Sequence, residues 1–411
     1  MIAVTVDEAL HLWNEALQKQ HHKIDSIPVG DAKGCVLAED VLAPTDVPAF
    51  HKSAMDGYAL AYEAGHDEYI VDSIIGAGVV WDKPVTTGHA VRIMTGAPVP
   101  STCDTVIMQE QVKGTGEIGS TITIQGHQQK GSHIIPRGEE CSAGTVVIPK
   151  GTEVTSTVQT ILTGLGYTAV SVYAMPRILV LTSGHEVIEP GEPLAAGKIY
   201  NSNRMMICSL LNDLGCQRVT HYHVSDAPDK LDSEIARVLE LSEQADIIIS
   251  SGGVSVGMFD TMPLIYEKLG AKTLYERIQM RPGAASYGAV TPKGQLIFGL
   301  SGNPGAAFNG WHLLVVPTLR RYKGIKNWST PVLNCVMDCD LSKRNAFDRH
   351  VQGQVIFGDG QPRFVANRHF NSSSMLGLYT VNALACIPQG VHEVHEGDIF
   401  KVYLLGILPT I

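Results

Sequence analysis

Three short segments carrying glycine and serine, two of them with a carboxylate, each follow an apolar run, and each carries groups suited to an anion or a hard cation. The first is Thr182-Ser183-Gly184-His185-Glu186, closing the run RILVLT. A Ser183-Gly184 turn lets the backbone approach an anion, and Glu186 offers a carboxylate to a cation. An ordinary turn with a solvated glutamate is the bland alternative. The second is Ser250 to Asp260 (SSGGVSVGMFD), after DIIIS, with three glycines and three serines in its first eight positions. Ser251, Gly252, Gly253, Val254 and Ser255 can present N–H and hydroxyl donors to a phosphate, and Asp260 closes the loop where a magnesium ligand is useful. The segment lacks the lysine of a Walker A loop and is not G-x-G-x-x-G. The third is GLSGNPG, in which Ser301 and Gly302 precede Asn303 as a helix cap and Pro304 as a first helical residue, leaving N–H groups for a ligand.

Two further residues extend this set. Asp226 ends a strand-like run and suits either a shared cation with Asp260 or a helix cap. Arg281, in MRPG, suits a tetrahedral oxyanion or a plain surface turn. His221 and His223 fall on one face of a strand without a third ligand, so a structural role is expected for both. No G-x-S-x-G signature supports Ser-His-Asp hydrolysis.

Positioning these loops requires strands and helices in alternation, and residues 174–323 supply them. Arg177–Thr182 and Asp246–Ser250 are continuous apolar runs, as in strands buried on both faces. Asn201 or Ser202 is the cap expected for a helix carrying Ile207, Leu210, Leu211 and Leu214, stopped by Gly215. Arg218–Val224 suits a strand and Leu231, Ile235, Val238 and Leu239 a helix; Leu264–Leu269 suits another, ended by Gly270. Gln295–Leu300 then precedes a long helix. This pitch predicts a doubly wound, mostly parallel α/β domain. In such sheets ligands bind beyond the carboxyl ends of the strands, where the three loops fall.

The remaining regions read differently. Thr5 and Glu8 form a capping box ahead of Ala9, Leu12, Trp13, Ala16 and Leu17 at helical spacing. Residues 43–140 form short strands broken by Gly, Pro and Thr, a β-rich module flanked by residues 1–42 and 141–173 as a mixed α/β region. Residues 324–411 predict a small β-barrel. The 411 residues thus divide into four regions. With 44% hydrophobic and 18% charged residues the chain is globular, and a net charge of -10 argues against a nucleic-acid partner. The eight cysteines contain no C-x-x-C pair, which favours reduced thiols in the cytoplasm over zinc. No targeting signal and no apolar run of spanning length is visible, so no membrane association is expected.

The segments SGGVSVGMFD, S-G-H-E and GLSGNP, with Asp56-Gly57-Tyr58-Ala59, Thr95-Gly96-Ala97 and the later Ser373-Ser374-Met375 and Asn382-Ala383, resemble the MoeA family of molybdopterin molybdenumtransferases, to which the C-terminal part of gephyrin is similar. The order and spacing match across nearly the whole chain. The resemblance implies a four-domain homodimer whose cleft sets Asp56 and Thr95 of one subunit against Glu186, Asp226 and Asp260 of the other. It further implies a Mg2+-dependent reaction in which molybdate and adenylylated molybdopterin give molybdenum cofactor and AMP, and the molybdopterin adenylyltransferase as a partner. Catalytic roles then fall to Asp56, Thr95, Glu186, Asp226 and Asp260, with the metal on the last three. The chain departs from the common family pattern where K-P-G-K-P is Arg281-Pro282-Gly283-Ala284-Ala285, and where L-P-G-N-P carries Ser301. One cation is thereby replaced and a second is absent. Arg344 and Arg349 are further candidates for positive charge.

Two alternatives stand beside this reading. An enzyme that adenylylates the pterin shares the α/β core, but the additional residues before Pro176 favour the molybdate step. A gephyrin-like scaffold needs none of the carboxylates Asp56, Glu186, Asp226 and Asp260. Molybdate and tungstate are indistinguishable from the residues alone.

Overall fold

Thr5 N–H donates to Glu8 Oε2 at 2.8 Å and Glu8 N–H donates to Thr5 Oγ1 at 3.2 Å, the reciprocal box that opens helix α1 (Val6–Gln18). Its apolar stripe buries Ala9, Trp13 and Leu17. The structure, a computed structural model, describes residues 2–18, 23–253, 261–342, 346–358, 360–367 and 371–406. Asp260, Val254 and Ser255 of the glycine-rich loop, and Arg344, lie outside the described residues. Two compact units form: Met1–Ala38 with Gly151–Gln159 and Ala169–Ile411, and Glu39–Lys150 with Thr160–Thr168.

The second unit holds a six-stranded sheet. β1 (Gly57–Leu60) lies between Thr105–Met108 and His89–Ile93, followed by Glu68–Ile75, Thr121–Ile124 and Val112–Lys113. Each face is buried in its own core: Tyr58, Leu60 and Tyr69 on one, Ala59, Val91 and Val106 on the other. Gly57 is required by close approach, since a Cβ there would lie 2.0 Å from the Ile107 carbonyl oxygen.

The first unit contains the expected α/β sheet. Along the chain come β2 (Ile178–Ser183), α2 (Ser202–Asp213), β3 (Val219–Val224), α3 (Leu231–Ser242), β4 (Ile247–Ser251), α4 (Met262–Lys268), β5 (Lys272–Tyr275), β6 (Tyr287–Val290) and β7 (Leu296–Leu300). In space the order is β3-β2-β4-β7-β6-β5. The first four strands run parallel, while β6 and β5 add an antiparallel edge that the sequence did not reveal. Alternate residues explain the continuous apolar runs. Ile178, Val180, Ile247 and Ile249 pack with Trp13, Ile207 and Trp311 on one face. Leu179, Leu181 and Ile248 pack with Ile235, Val238 and Ile265 on the other.

After β7 comes α5 (Pro304–Gly310), a π turn (Trp311–Val315) and α6 (Val316–Tyr322). Pro317 has no N–H to give the preceding turn, and the helix widens just before it. The C-terminal strands β8 (Val332–Met337), β9 (Asp348–Ile356), β10 (Arg363–Ala366), β11 (Ala383–Ile387) and β12 (Ile399–Leu404) close a five-stranded barrel through the β9–β11 pairing. Among the described residues no helix is long and apolar enough to cross a membrane.

Candidate functional site

The strand register brings the candidate loops to one level. Ser183 pairs with Val224, Thr182 with Ser251, and Ser251 with Leu300, so β2, β3, β4 and β7 all end on the same side of the sheet. A cavity of about 460 Å³ lies there. The loop after β2 lines it with Ser183, Gly184 and Glu186, and Asp226 enters from the loop after β3. Ser251, Gly252 and Gly253 form its wall after β4, and Ser301 to Pro304 its wall after β7. The lining thus joins the three singled-out loops and Asp226 from a fourth.

Polar side chains fix these loops to one another. Asn203, in the first turn of α2, donates from Nδ2 to Ser251 Oγ and to the Gly302 carbonyl, both at 2.8 Å. Ser251 Oγ in turn donates to the Ser301 carbonyl at 3.0 Å, and Gly252 N–H donates to the Leu300 carbonyl at 3.2 Å. Gly252 adopts φ +90° and a Cβ there would lie 2.8 Å from the Ser183 carbonyl oxygen. Only glycine permits both that conformation and that approach. Asn201 caps α2 by accepting from Arg204 N–H, and its Nδ2 donates to Thr182 Oγ1 at 3.0 Å. Thr182 Oγ1 also lies 3.0 Å from His221 Nε2 and 3.1 Å from His223 Nδ1. The two histidines are therefore satisfied within the fold, and burial pushes the His221 pKa down to about 4, keeping the ring neutral.

One corner of the cavity is suited to a cation. His185, Glu186 and Asp226 offer ligand atoms that all lie within 4.8 Å of one another. His185 Nδ1 stands 3.5 Å from Asp226 Oδ2 and 3.7 Å from Glu186 Oε2. Among the described residues neither carboxylate has a Lys or Arg partner, and the buried Asp226 Oδ1 has no hydrogen-bond partner. Buried carboxylate oxygens without partners carry a desolvation cost that a bound ion removes. Gly184 makes room for Glu186, since a Cβ there would sit 2.8 Å from both its carboxylate oxygens. The donor set fits a divalent cation.

Other candidates lie elsewhere. Asp56 and Thr95 belong to the second unit, where the Gly57–Ile93 pairing sets them side by side. Thr95 donates to Asp56 Oδ1 from N–H and Oγ1, both at 2.7 Å. These bonds, with Arg92 nearby, hold the Asp56 carboxyl below the usual carboxylate range, so it stays ionised. Arg281 does not line the cavity; its guanidinium lies over the Phe347 ring at 6.0 Å, and Ala285 from the same segment lines it instead. Arg349 pairs with Arg281 in strand register.

The cap reading for Asn303 needs correction. Asn303 occupies the N-cap position with Pro304 following, but its side chain makes no cap bond. Nor is the helix end fully open, because Ala306 N–H donates to the Ser372 carbonyl from the C-terminal region at 3.1 Å. Sequence reasoning missed His185 as part of the cation corner and Asn203 as the link between loops. For His185 the available signal was its place between Gly184 and Glu186 in a loop already singled out.

The chain matches the signature of the MoeA N-terminal region (domain I and II) over residues 4–166 and that of a probable molybdopterin binding domain over residues 179–321. A molybdopterin molybdenumtransferase of Staphylococcus epidermidis is 34% identical over 98% of this chain and 95% of its own length. That of Bacillus subtilis (strain 168) is 34% identical over 98% of this chain and 94% of its own. The solved structure of a molybdopterin biosynthesis MoeA protein from Pyrococcus horikoshii OT3 superposes with a TM-score of 0.80 at 25% identity, covering 98% of this chain and all of that one.

Proposed function

The chain belongs to the MoeA family of molybdopterin molybdenumtransferases, enzymes of molybdenum cofactor biosynthesis, and from that premise we propose that it inserts molybdate into adenylylated molybdopterin in a Mg2+-dependent step that releases AMP. The observation that carries this reading is one cavity joining a carboxylate corner to a wall lined by glycine and serine, with the Ser183 hydroxyl unpartnered. A pterin phosphate linked to AMP needs both: donors for its oxygens and a cation beside its pyrophosphate.

Glu186 and Asp226 hold the cation in this reading, with Asp260 as a third carboxylate. When bound, Mg2+ offsets charge on the pyrophosphate as AMP leaves. Ser251 and Gly252, bonded to the Ser301 and Leu300 carbonyls, shape the phosphate site; Gly253, with Val254 and Ser255, is assigned to the pterin phosphate, and Ser183 supplies a hydroxyl with no other partner among the described residues. Ser301, Gly302, Asn303 and Pro304 form the opposite wall. Arg281, which does not line the cavity, keeps a role in oxyanion recognition only if it leaves the Phe347 ring on substrate binding. The enzyme works as a homodimer in which Asp56 and Thr95 of the partner subunit complete the cleft, so that water is kept from the exchanging dithiolene. Asp56, ionised and held by Thr95, is suited to accept a proton there. Residues 1–42 with 141–173, 43–140, 174–323 and 324–411 are the four regions of each subunit. All eight cysteines are free thiols, in keeping with a cytoplasmic enzyme that receives its substrate from the molybdopterin adenylyltransferase.

The test is a variant series. Glu186→Gln and Asp226→Asn are expected to bind adenylylated molybdopterin yet release AMP at least about 100-fold more slowly on molybdate addition. Undiminished AMP release in both variants refutes the reading. Adenylylation of free pterin by the unmodified chain favours the adenylyltransferase alternative, and partner binding without any turnover favours the scaffold.

A further inference from the structure

The cation corner contains a nitrogen donor as well as carboxylates. His185 Nδ1 lies 3.5 Å from Asp226 Oδ2 and 3.7 Å from Glu186 Oε2. Neither separation is a hydrogen bond, so the ring is not held against the carboxylates by direct contact. Ligand atoms about 2.1 Å from one metal ion, at tetrahedral or octahedral angles, lie about 3.0–3.5 Å apart. The two spacings to His185 therefore need at most a few tenths of an ångström of closure to share one ion, and all three ligand atoms lie within 4.8 Å of one another. Two unmatched groups face the same space. Ser183 is 8% exposed and its hydroxyl has no partner, and Asp226 Oδ1 is buried without one. The His185 side chain is 77% exposed and free to turn onto an ion, whereas Asp226 is mostly buried at 13%.

We infer that His185 is a nitrogen ligand of the cation held by Glu186 and Asp226, and that it makes this corner bind a first-row transition dication such as Mn2+ more tightly than Mg2+. The inference rests on the reading of those two carboxylates as cation ligands and adds the imidazole to them. The chemistry is that of donor type. Mg2+ prefers oxygen ligands, keeps several waters and gains little from imidazole. Transition dications accept imidazole nitrogen readily, with affinity rising from Mn2+ onward in the usual order. Mg2+ remains competent through the carboxylates, so His185 sets selectivity and not the bare capacity to bind.

The experiment uses the full chain, without substrate, titrated with Mn2+ while free Mn2+ is read by its electron paramagnetic resonance signal, then competed with Mg2+. Pulsed measurement of the bound Mn2+ reads coupling to imidazole nitrogen. The wild type is expected to show that coupling and to prefer Mn2+. His185→Asn is expected to lose the coupling and at least about tenfold in Mn2+ affinity, with Mg2+ affinity nearly unchanged. His185 is exposed, so His185→Asn and His185→Ala should fold as the wild type does, which their melting curves check. Bound Mn2+ without nitrogen coupling, or an unchanged Mn2+ to Mg2+ preference in His185→Asn, overturns the inference. Glu186→Gln and Asp226→Asn separate the two levels. If these weaken both cations while the His185 variants change nothing, only the nitrogen-ligand inference fails. If they too leave both affinities unchanged, the cation corner itself is refuted.

Discussion

Substituting Gly252 by alanine tests the central geometry of the cavity. The residue sits at φ +90°, and an added Cβ meets the Ser183 carbonyl oxygen at 2.8 Å and Ser183 Oγ at 3.2 Å. The conformational term alone is about 1–2 kcal/mol for a non-glycine residue. The contact cannot be relieved by Ser183, because that residue is paired in the sheet with Val224 and its neighbour Thr182 with Ser251. The loop after β4 must move instead, by a few tenths of an ångström or more, and with it the Gly252 N–H that donates to Leu300. Losing that bond adds about 1 kcal/mol, so Gly252→Ala is expected to destabilise by about 2–3 kcal/mol in total. Displacement of the donors by up to about 1 Å is expected to lower kcat/KM for AMP release about 100-fold. Gly390→Ala is the matched control. It has φ +86° and nothing within 4 Å of an added Cβ, so it carries the conformational term without the contact. The assays are melting temperature and molybdate-dependent AMP release for both variants. A Gly252→Ala protein that melts no lower than Gly390→Ala and turns over at the wild-type rate refutes the reasoning.

Other consequences follow from the same structure. Trp13→Ala removes a buried ring that packs 4.3 Å from Phe298 and donates to Tyr275 Oη at 3.1 Å, and should lower stability by about 3–5 kcal/mol in denaturant titration; less than 1 kcal/mol contradicts the core assignment. Burial pushes His312 down to about 3 and His350 down to about 4, below the unfolded value near 6.5. The unfolded chain therefore takes up protons first, and stability falls as pH drops through 6.5 toward 4, by about 2 kcal/mol per histidine at pH 5. Melting curves between pH 7 and 5 read this, and His312→Gln should remove part of the slope. Asp56→Asn should lower kcat/KM about 100-fold with only a small drop in melting temperature, from weakened Thr95 bonds; equal activity places Asp56 outside the reaction. Removing divalent cations with a chelator should abolish AMP release, and Mg2+ should restore it.

Much of the scaffold was visible in the residues because the deciding interactions are local. The Thr5–Glu8 box, the Asn201 cap and the stops at Gly215 and Gly270 involve neighbours three or four positions apart. The runs RILVLT and DIIIS announced strands buried on both faces, since both alternating sets of side chains had to be apolar. The edge strands β5 and β6 were not visible. Lys272–Tyr275 is short and mixed in polarity, and its partner contains Gly288, so neither displays a period. Asn203 acts on Ser251 and Gly302, 48 and 99 residues away, and nothing near it in the chain hints at that. His185 meets Asp226 only because β2 and β3 are neighbours in register. The Asn303 cap failed for a related reason: the C-terminal region supplies the Ser372 carbonyl to the helix end that a local reading leaves open.

The most direct test mixes the full chain with adenylylated molybdopterin and Mg2+, then adds micromolar molybdate while AMP release and the reconstitution of an apo-molybdoenzyme are followed together. The account predicts that AMP appears only with molybdate and in step with recovered molybdoenzyme activity, and that Gly252→Ala and Asp226→Asn suppress both. AMP release indifferent to molybdate, or full activity in both variants, contradicts the assignment of molybdate insertion to this cavity.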